Sequence, residues 1–404
     1  SLGSALQVHA SAQANGYVYV MGGINSVGTA QSTVNYAKIN SDGSVGSWST
    51  TSGLSEARRN ARAIAVNGYM YYVGGLDDAG NGRASVLYAK INSDGTLGSW
   101  GTTSSMPLAR RDYGLVTANG YIYVFGGNVS GSCCAQATVY SAKVQSDGTL
   151  AAWSTLTSLP AARASVGAAA ANGYVYIVGG VDGTAGAVRQ ATVYYAKLNA
   201  DGTVGSWSTG TALSAARNGA TAQVLNGQIY LIGGLEDSGS MNNILSASLL
   251  SGGSNGSWVT NSTVLPAARY NHTSITANGY VYVMAGVDSV VSSTVYYASA
   301  ARIKFATTLD LMGISSGTLT DSQNAGGSLY VGNVFTGGNL EVSNNAQFWN
   351  GLSVNGSFSV TYSSATSSFV SGLSTAGLSS TNGLTVTGGT SLATLAVSGA
   401  TTLT

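Results

Sequence analysis

Six near-copies of one nine-residue string run through the chain and leave few folds open to it. NGYVYVMGG starts at Asn15, NGYMYYVGG at Asn67, NGYIYVFGG at Asn119, NGYVYIVGG at Asn172, NGQIYLIGG at Asn226 and NGYVYVMAG at Asn278. The intervals are 52, 52, 53, 54 and 52 residues. A period near ~50 residues suits a four-stranded propeller blade, a unit too small to bury its own apolar faces and therefore stacked on its neighbours.

Around each anchor the same four elements recur. The first is a small-residue strand such as His9 to Ala14 or Ser165 to Ala171, suited to the crowded axis where blades converge. Each Asn-Gly tolerates positive φ and closes a tight hairpin onto the Tyr/Val-rich second strand. The Gly pair that ends this strand, Gly74 and Gly75 for example, removes side chains where backbones approach closely. The third strand reads TVNYAKIN from Thr33, VLYAKIN from Val86, TVYSAKV from Thr138 and TVYYAKLN from Thr192. Its Lys38, Lys90, Lys143 and Lys197 share one phase, as a solvated face requires. A turn at Asp42, Asp94, Asp147 or Asp201 then leads to a fourth strand, and Trp48, Trp100, Trp153, Trp207 and Trp258 mark this strand in successive copies. Large aromatics locked to a repeat position are core rather than a ligand platform, so each Trp is expected between blades.

The Gly pair, the spaced Tyr and the later Trp resemble the kelch repeat over about three quarters of the chain. The resemblance implies an all-β, six-bladed kelch-type β-propeller over residues 1–305, with loops that bind partners. Two departures stand out in repeat six: Met284 to Gly286 read MAG, and no turn or Trp of a fourth strand follows. Ser1 to Leu6 aligns with the segment just after a fourth strand, as Ser158 to Arg163 shows, so either the outer strand of blade six or an additional blade is expected upstream of Ser1. Ser1 and Thr404 both read as cuts in a longer polypeptide.

The kelch pattern stops after Ile303, and from Leu309 onward the charges are Asp310, Asp321 and Glu341. LTVTGGTSLAT from Leu384 is followed by LAVSGATTLT from Leu395, with Val386/Val397, Gly388/Gly399 and Leu392/Leu403 in register. Alternation before a Gly turn predicts short strands with one apolar face, which must coil into a solenoid or be covered by identical chains. Residues 306–404 are therefore expected to form a C-terminal β-rich shaft or oligomerisation segment, a homotrimer. The pattern resembles the shafts of phage tail fibres and trimeric adhesins, and the ends of very large surface proteins of ultra-small bacteria.

Composition removes several functions. Charged residues make up 8% of the chain and the net charge is +1, too little clustered base for nucleic acid. Hydrophobic residues reach 44% with 23 Tyr, which opposes disorder. No apolar run approaches the roughly 20 residues of a transmembrane helix.

Catalytic groups are scarce. His9 and His272 occupy equivalent first-strand positions in repeats one and six without the carboxylate or thiolate company of a metal site, and no metal or cofactor is expected. Adjacent Cys133 and Cys134 form a vicinal or intermolecular disulfide in an oxidising compartment, or else stand as two thiols. Acidic residues Asp77, Asp78, Asp182, Glu236, Asp237 and Asp288 follow the second strands and gather on one rim, as solvated loops or a Ca²⁺ site. Arg58, Arg110, Arg163, Arg217 and Arg269 each precede their repeat's Asn by nine residues, with Leu6 in that place in repeat one. They form an incomplete ring near the axis that either satisfies carbonyls at blade junctions or lines a partner-binding face.

The leading expectation is a non-enzymatic extracellular or cell-surface fibre protein, an adhesin whose propeller head binds a surface glycan or protein. A glycan-binding or polysaccharide-active propeller and a cytosolic kelch scaffold are the competing readings.

Overall fold

A computed structural model of the chain describes residues 1–129, 135–184 and 186–299. Cys133 and Cys134, and the expected shaft at 306–404, lie outside the described residues. Within them the chain is all-β. Blade one is the antiparallel meander Ala10–Ala14, Tyr17–Met21, Val34–Lys38 and Ser49–Thr51. Blades two, three and four repeat it, and blade five adds a small hairpin, Leu235–Glu236 with Gly239–Ser240. Blade six shows three strands, Thr273–Ala277, Tyr280–Met284 and Val295–Ser299. The innermost strands of consecutive blades lie side by side, and Ala10–Ala14 against Thr273–Ala277 completes the circle.

Local chemistry explains each blade. In every copy both residues of Asn-Gly have positive φ, 51° and 78° at Asn15 and Gly16, which is the primed turn that matches strand twist. The second strands are central and buried on both faces: Val18, Tyr19, Val20 and Met21 are all fully buried. Hydrophobic clusters therefore sit at the seams, one between each adjacent pair of blades. The expected solvated lysines are exposed at the ends of the third strands.

Side chains then cross the seams at repeated places. The indole N–H of Trp100, Trp153, Trp207 and Trp258 donates to the carbonyl of Ser52, Ser104, Thr157 and Thr211 in the preceding copy, so these tryptophans do pack between blades. Tyr19 and Tyr71 donate to Gly95 and Gly148 in the following Asp-Gly turn, at 2.8 and 2.7 Å. Beneath these bonds, Tyr17, Tyr69, Tyr121, Tyr174 and Tyr280 lay their rings against the glycine of the next turn. Gln228 replaces this Tyr in blade five, which faces repeat six, whose sequence carries no equivalent glycine turn.

The circle closes as the alignment of Ser1 to Leu6 implied. Leu2 and Leu6 donate backbone N–H bonds to Ser293 and Ser292 at 2.8 and 2.9 Å, and Gly286 donates to the Leu6 carbonyl at 2.9 Å. Leu2 and Leu6 join Ile275, Tyr282 and Met284 in the closing core.

Candidate functional site

The arginine series is where the sequence left two readings open, carbonyls satisfied at blade junctions or a partner-binding face. Each of Arg58, Arg110, Arg163, Arg217 and Arg269 is bound by its backbone to one blade and sends its side chain into the next. Arg58 N–H donates to Gln31 of blade one, while its guanidinium donates to the carbonyls of Gly74 and Ser85 in blade two. Arg110, Arg163, Arg217 and Arg269 likewise reach Thr138, Thr192, Asn243 and Thr294. All five are buried, at 1–3% exposure. Desolvation pushes the guanidinium pKa of Arg110, Arg163, Arg217 and Arg269 down. The expectation of an Arg-lined partner face is corrected accordingly: guanidinium groups buried to this degree are closed to a ligand, and these residues pin seams.

The pins have two kinds of support. Arg110, Arg163 and Arg269 lie over Tyr140, Tyr194 and Tyr296 at 5.5, 5.1 and 4.3 Å from the ring centroid. For Arg58 and Arg217 that register holds Leu87 and Leu245, and the support is a carboxylate instead, Glu56 and Glu236. Leu6 stands in the pin position at the closing seam, where the Gly pair reads Ala285 and Gly286.

The rim carboxylates are held by their own loops or by the loop of a neighbouring blade. Asp77 accepts from Asn81 and pairs with Arg83, Asp182 accepts from Thr184, and Asp237 pairs with Arg189. Asp78 accepts the Ala30 N–H of blade one at 2.7 Å. Hydrogen bonds from Asn81 and Thr184 hold the Asp77 and Asp182 carboxyls below the usual range, the opposite direction from the raised acid that glycoside cleavage needs. Among the described residues no three His, Cys, Asp or Glu side chains are grouped to hold a metal ion.

His9 and His272 are neighbours across the closure, as their equivalent places implied. His9 Nε2 lies 2.7 Å from Thr273 Oγ1, and His272 Nε2 lies 3.0 Å from Thr221 Oγ1. Burial lowers each imidazole pKa to about 3, so both are neutral packing groups.

Two axial features escaped the sequence reading. Two residues after each pin position, Val8, Asn60, Asp112, Ser165, Gly219 and Asn271 all take positive φ. Asn60 donates to Val8, Asp112 to Asn60, Ser165 to Asp112, Gly219 to Ser165, Asn271 to Gly219 and Val8 to Asn271, at 2.6–3.3 Å. The six bonds form a closed backbone ring around the axis. Beside it runs a channel of about 380 Å³ lined by all six innermost strands. Arg62 is its one charged lining residue among those described, and Arg62 also lines a small cavity bounded by ring residues Val8, Asp112, Ser165, Gly219 and Asn271. Aligning the copies at the start of the first strand would have exposed it: Ala10, Gly114, Gly167, Thr221 and Thr273 occupy its place elsewhere.

No family model matches the chain. An F-box/kelch-repeat protein of Arabidopsis thaliana is 35% identical over 130 residues, 31% of this chain and 31% of that protein. Kelch-like protein terF of Aspergillus terreus is 26% identical over 247 residues, 57% of this chain and 50% of that protein. Beta-scruin of Limulus polyphemus is 27% identical over 201 residues, 49% of this chain and 21% of that protein. The chain spans half or less of the length of these relatives. The solved structure of YjhT shares the fold, with a TM-score of 0.58 at 14% identity over 73% of this chain and 95% of that one. The chain carries a kelch-type β-propeller.

In this kelch propeller the copies differ most on one face. The loops between second and third strands run 22–33, 74–85, 126–138, 179–192, 233–243 and 285–294, longest in blade four and shortest in blade six. Antiparallel pairing puts these loops and the starts of the innermost strands at the same end of every blade. Exposed apolar side chains crown them: Val27 at 82%, Val290 at 71%, Val188 at 55%, and Leu108 beside them at 50%.

Proposed function

We propose that the propeller is a non-enzymatic binding head whose partner is a protein, held on the face built by the loops between second and third strands. The observation that carries this reading is the sorting of variation. Seams, turns and pins repeat almost unchanged, whereas loop length and exposed apolar tips change from blade to blade on that face. A scaffold needs the repetition, and a recognition surface needs the differences. Kelch-repeat relatives support a protein-binding role for such a propeller.

The fuller reading is a cell-surface fibre or adhesin in which residues 306–404 form an extracellular trimeric shaft beneath this head. Its support is the in-register Leu and Val of that segment and its near lack of charge. The test is binding of the labelled full chain to a panel of intact cells, before and after the cells are treated with protease or with glycosidase. Loss on protease treatment, and loss in a Val27→Lys, Val188→Lys, Val290→Lys variant, supports the reading. Binding that survives protease but not glycosidase overturns the protein partner, and binding untouched by the triple variant overturns the face.

A further inference from the structure

Arg62 presents a charge with no counterpart. Its guanidinium forms no ion pair and no side-chain hydrogen bond among the described residues, although a guanidinium carries five donors. Asp112, which lines the same small cavity, is bound to Arg111 at 2.8 Å and to Asn60 at 2.6 Å. The two histidines beside the channel are buried and their Nε2 atoms are already bound to threonines. The channel therefore holds one positive charge between low-dielectric walls, an arrangement that concentrates field on an entering anion.

The channel wall is also mixed in polarity, with most of its side-chain hydrogen-bonding groups on three blades. Blades two, three and four contribute Ile64, Leu115, Val116 and Val166, with alanines between them, alongside Arg62, Tyr113 and Thr117. Blades five, six and one contribute Thr221, Gln223, Ser274, Thr276, Ser11 and Gln13, interleaved with Ala222, Val224 and Ile275. Gln223 Nε2 donates to Ser274 at 2.8 Å and Ser274 Oγ donates to Thr221 at 2.7 Å, which sets this arc in fixed orientation. Gln13 and Thr276 keep their side-chain polar groups unbound within the described residues. A volume of about 380 Å³ falls in the range of small-molecule sites, roughly 300–1,000 Å³.

We propose that the axial channel is a binding site for a small hydroxy-carboxylate, its carboxylate on the Arg62 guanidinium and its hydroxyls along the Gln13, Gln223 and Thr276 arc. A guanidinium fork matches a carboxylate with two parallel N–H donors, and the aliphatic side chains of the wall, Ile64 beside Arg62 among them, accept the ligand's carbon skeleton.

The test is titration calorimetry of the full chain with gluconate, with inorganic sulfate as a bare oxyanion and glucose as the neutral hydroxylated control. The expected result is saturable gluconate binding, at least tenfold weaker in Arg62→Ala and in Arg62→Gln, weakened in Gln13→Ala, and no glucose binding. Gluconate binding that is undiminished in the Arg62 variants overturns the site. Sulfate binding as tight as gluconate overturns the hydroxy-carboxylate class, and absence of gluconate binding overturns the proposal outright. If the variants fail to fold, the wild-type protein still decides: the Arg62 Nε–H resonance shifts with gluconate, and an unmoved resonance at saturation overturns the site.

Discussion

The hydroxyl of Tyr282 donates a 2.8 Å hydrogen bond to the carbonyl of Gly43, joining blade six to blade one across 239 residues of sequence. Gly43 has φ +80, and a Cβ there would land inside the Tyr280 ring. Two substitutions separate the contributions. Tyr282→Phe removes one buried bond and leaves a carbonyl short of a partner, at a cost of about 1–2 kcal/mol. Gly43→Ala adds left-handed strain and a clash with a ring that is itself packed, so it costs more than Tyr282→Phe. Urea unfolding of both variants checks the order, and an equal or smaller loss for Gly43→Ala would refute the account of the seam.

The two kinds of arginine pin differ in what their loss leaves behind. Glu236→Gln removes the carboxylate beside the buried Arg217 guanidinium and leaves that charge without its counter-ion, a loss of about 3 kcal/mol. Tyr194→Phe removes only a 3.1 Å bond to Arg163 and keeps the ring beneath the cation, a loss of about 1 kcal/mol. Chemical denaturation at low and high salt distinguishes them. A Tyr194→Phe loss equal to that of Glu236→Gln would mean the seams do not use the two supports differently.

Much of this fold lies open in the sequence because it is local and repeated. The blade number, the Asn-Gly hairpins, the Trp seam and the closure through Leu2 and Leu6 all follow from residues at fixed intervals. The state of the arginines does not follow. Whether Arg163 faces solvent depends on Thr192 and Tyr194, some thirty residues away in the next blade, and periodicity alone cannot say which way a guanidinium turns. The axial ring is harder still to see. It is made of backbone atoms on six positions holding five residue types, so no identity marks it. Arg62 is hidden for the converse reason: it occurs once, and a reading tuned to repeats passes over what is not repeated.

The histidine pair gives stability a pH dependence of definite sign. Burial, with Arg62 acting on His9 and with Arg269, His9 and Arg62 acting on His272, lowers both imidazoles to about 3. The unfolded imidazole titrates near ~6.5. Below that pH the unfolded chain takes up protons that the folded chain refuses. Stability therefore falls as pH drops from about 6.5, by up to about 1.4 kcal/mol per pH unit for each histidine, and is flat above it. Blades two and five carry Ala61 and Ala220 at this place, so His9→Ala with His272→Ala is a substitution the fold already uses. Unfolding free energy measured between pH 5 and 6.5, where carboxylates contribute little, loses its slope in the double variant. A slope that persists unchanged would assign the pH dependence to other groups.

Val8 is the costliest member of the axial ring. Its φ of 48° lies in the left-handed region, where a β-branched side chain crowds its own backbone, at roughly 1–2 kcal/mol. Asn60 and Asn271, at 55° and 52°, show what the position prefers, since asparagine tolerates this conformation far better than valine. The ring bonds at this position run through the Val8 backbone, to Asn60 from its carbonyl and to Asn271 from its N–H, and neither depends on the side chain. Val8→Asn thus keeps the ring and relieves the strain. The expected outcome is a gain of about 1 kcal/mol, seen as a melting temperature higher by about 2 °C. Val8→Gly relieves the same strain but frees the unfolded chain, so its gain is smaller. Val8→Ile keeps the branch and gains nothing. Calorimetry on the three variants reads this order directly, and a Val8→Asn protein less stable than the parent would show that the valine side chain contributes more by packing than its backbone loses.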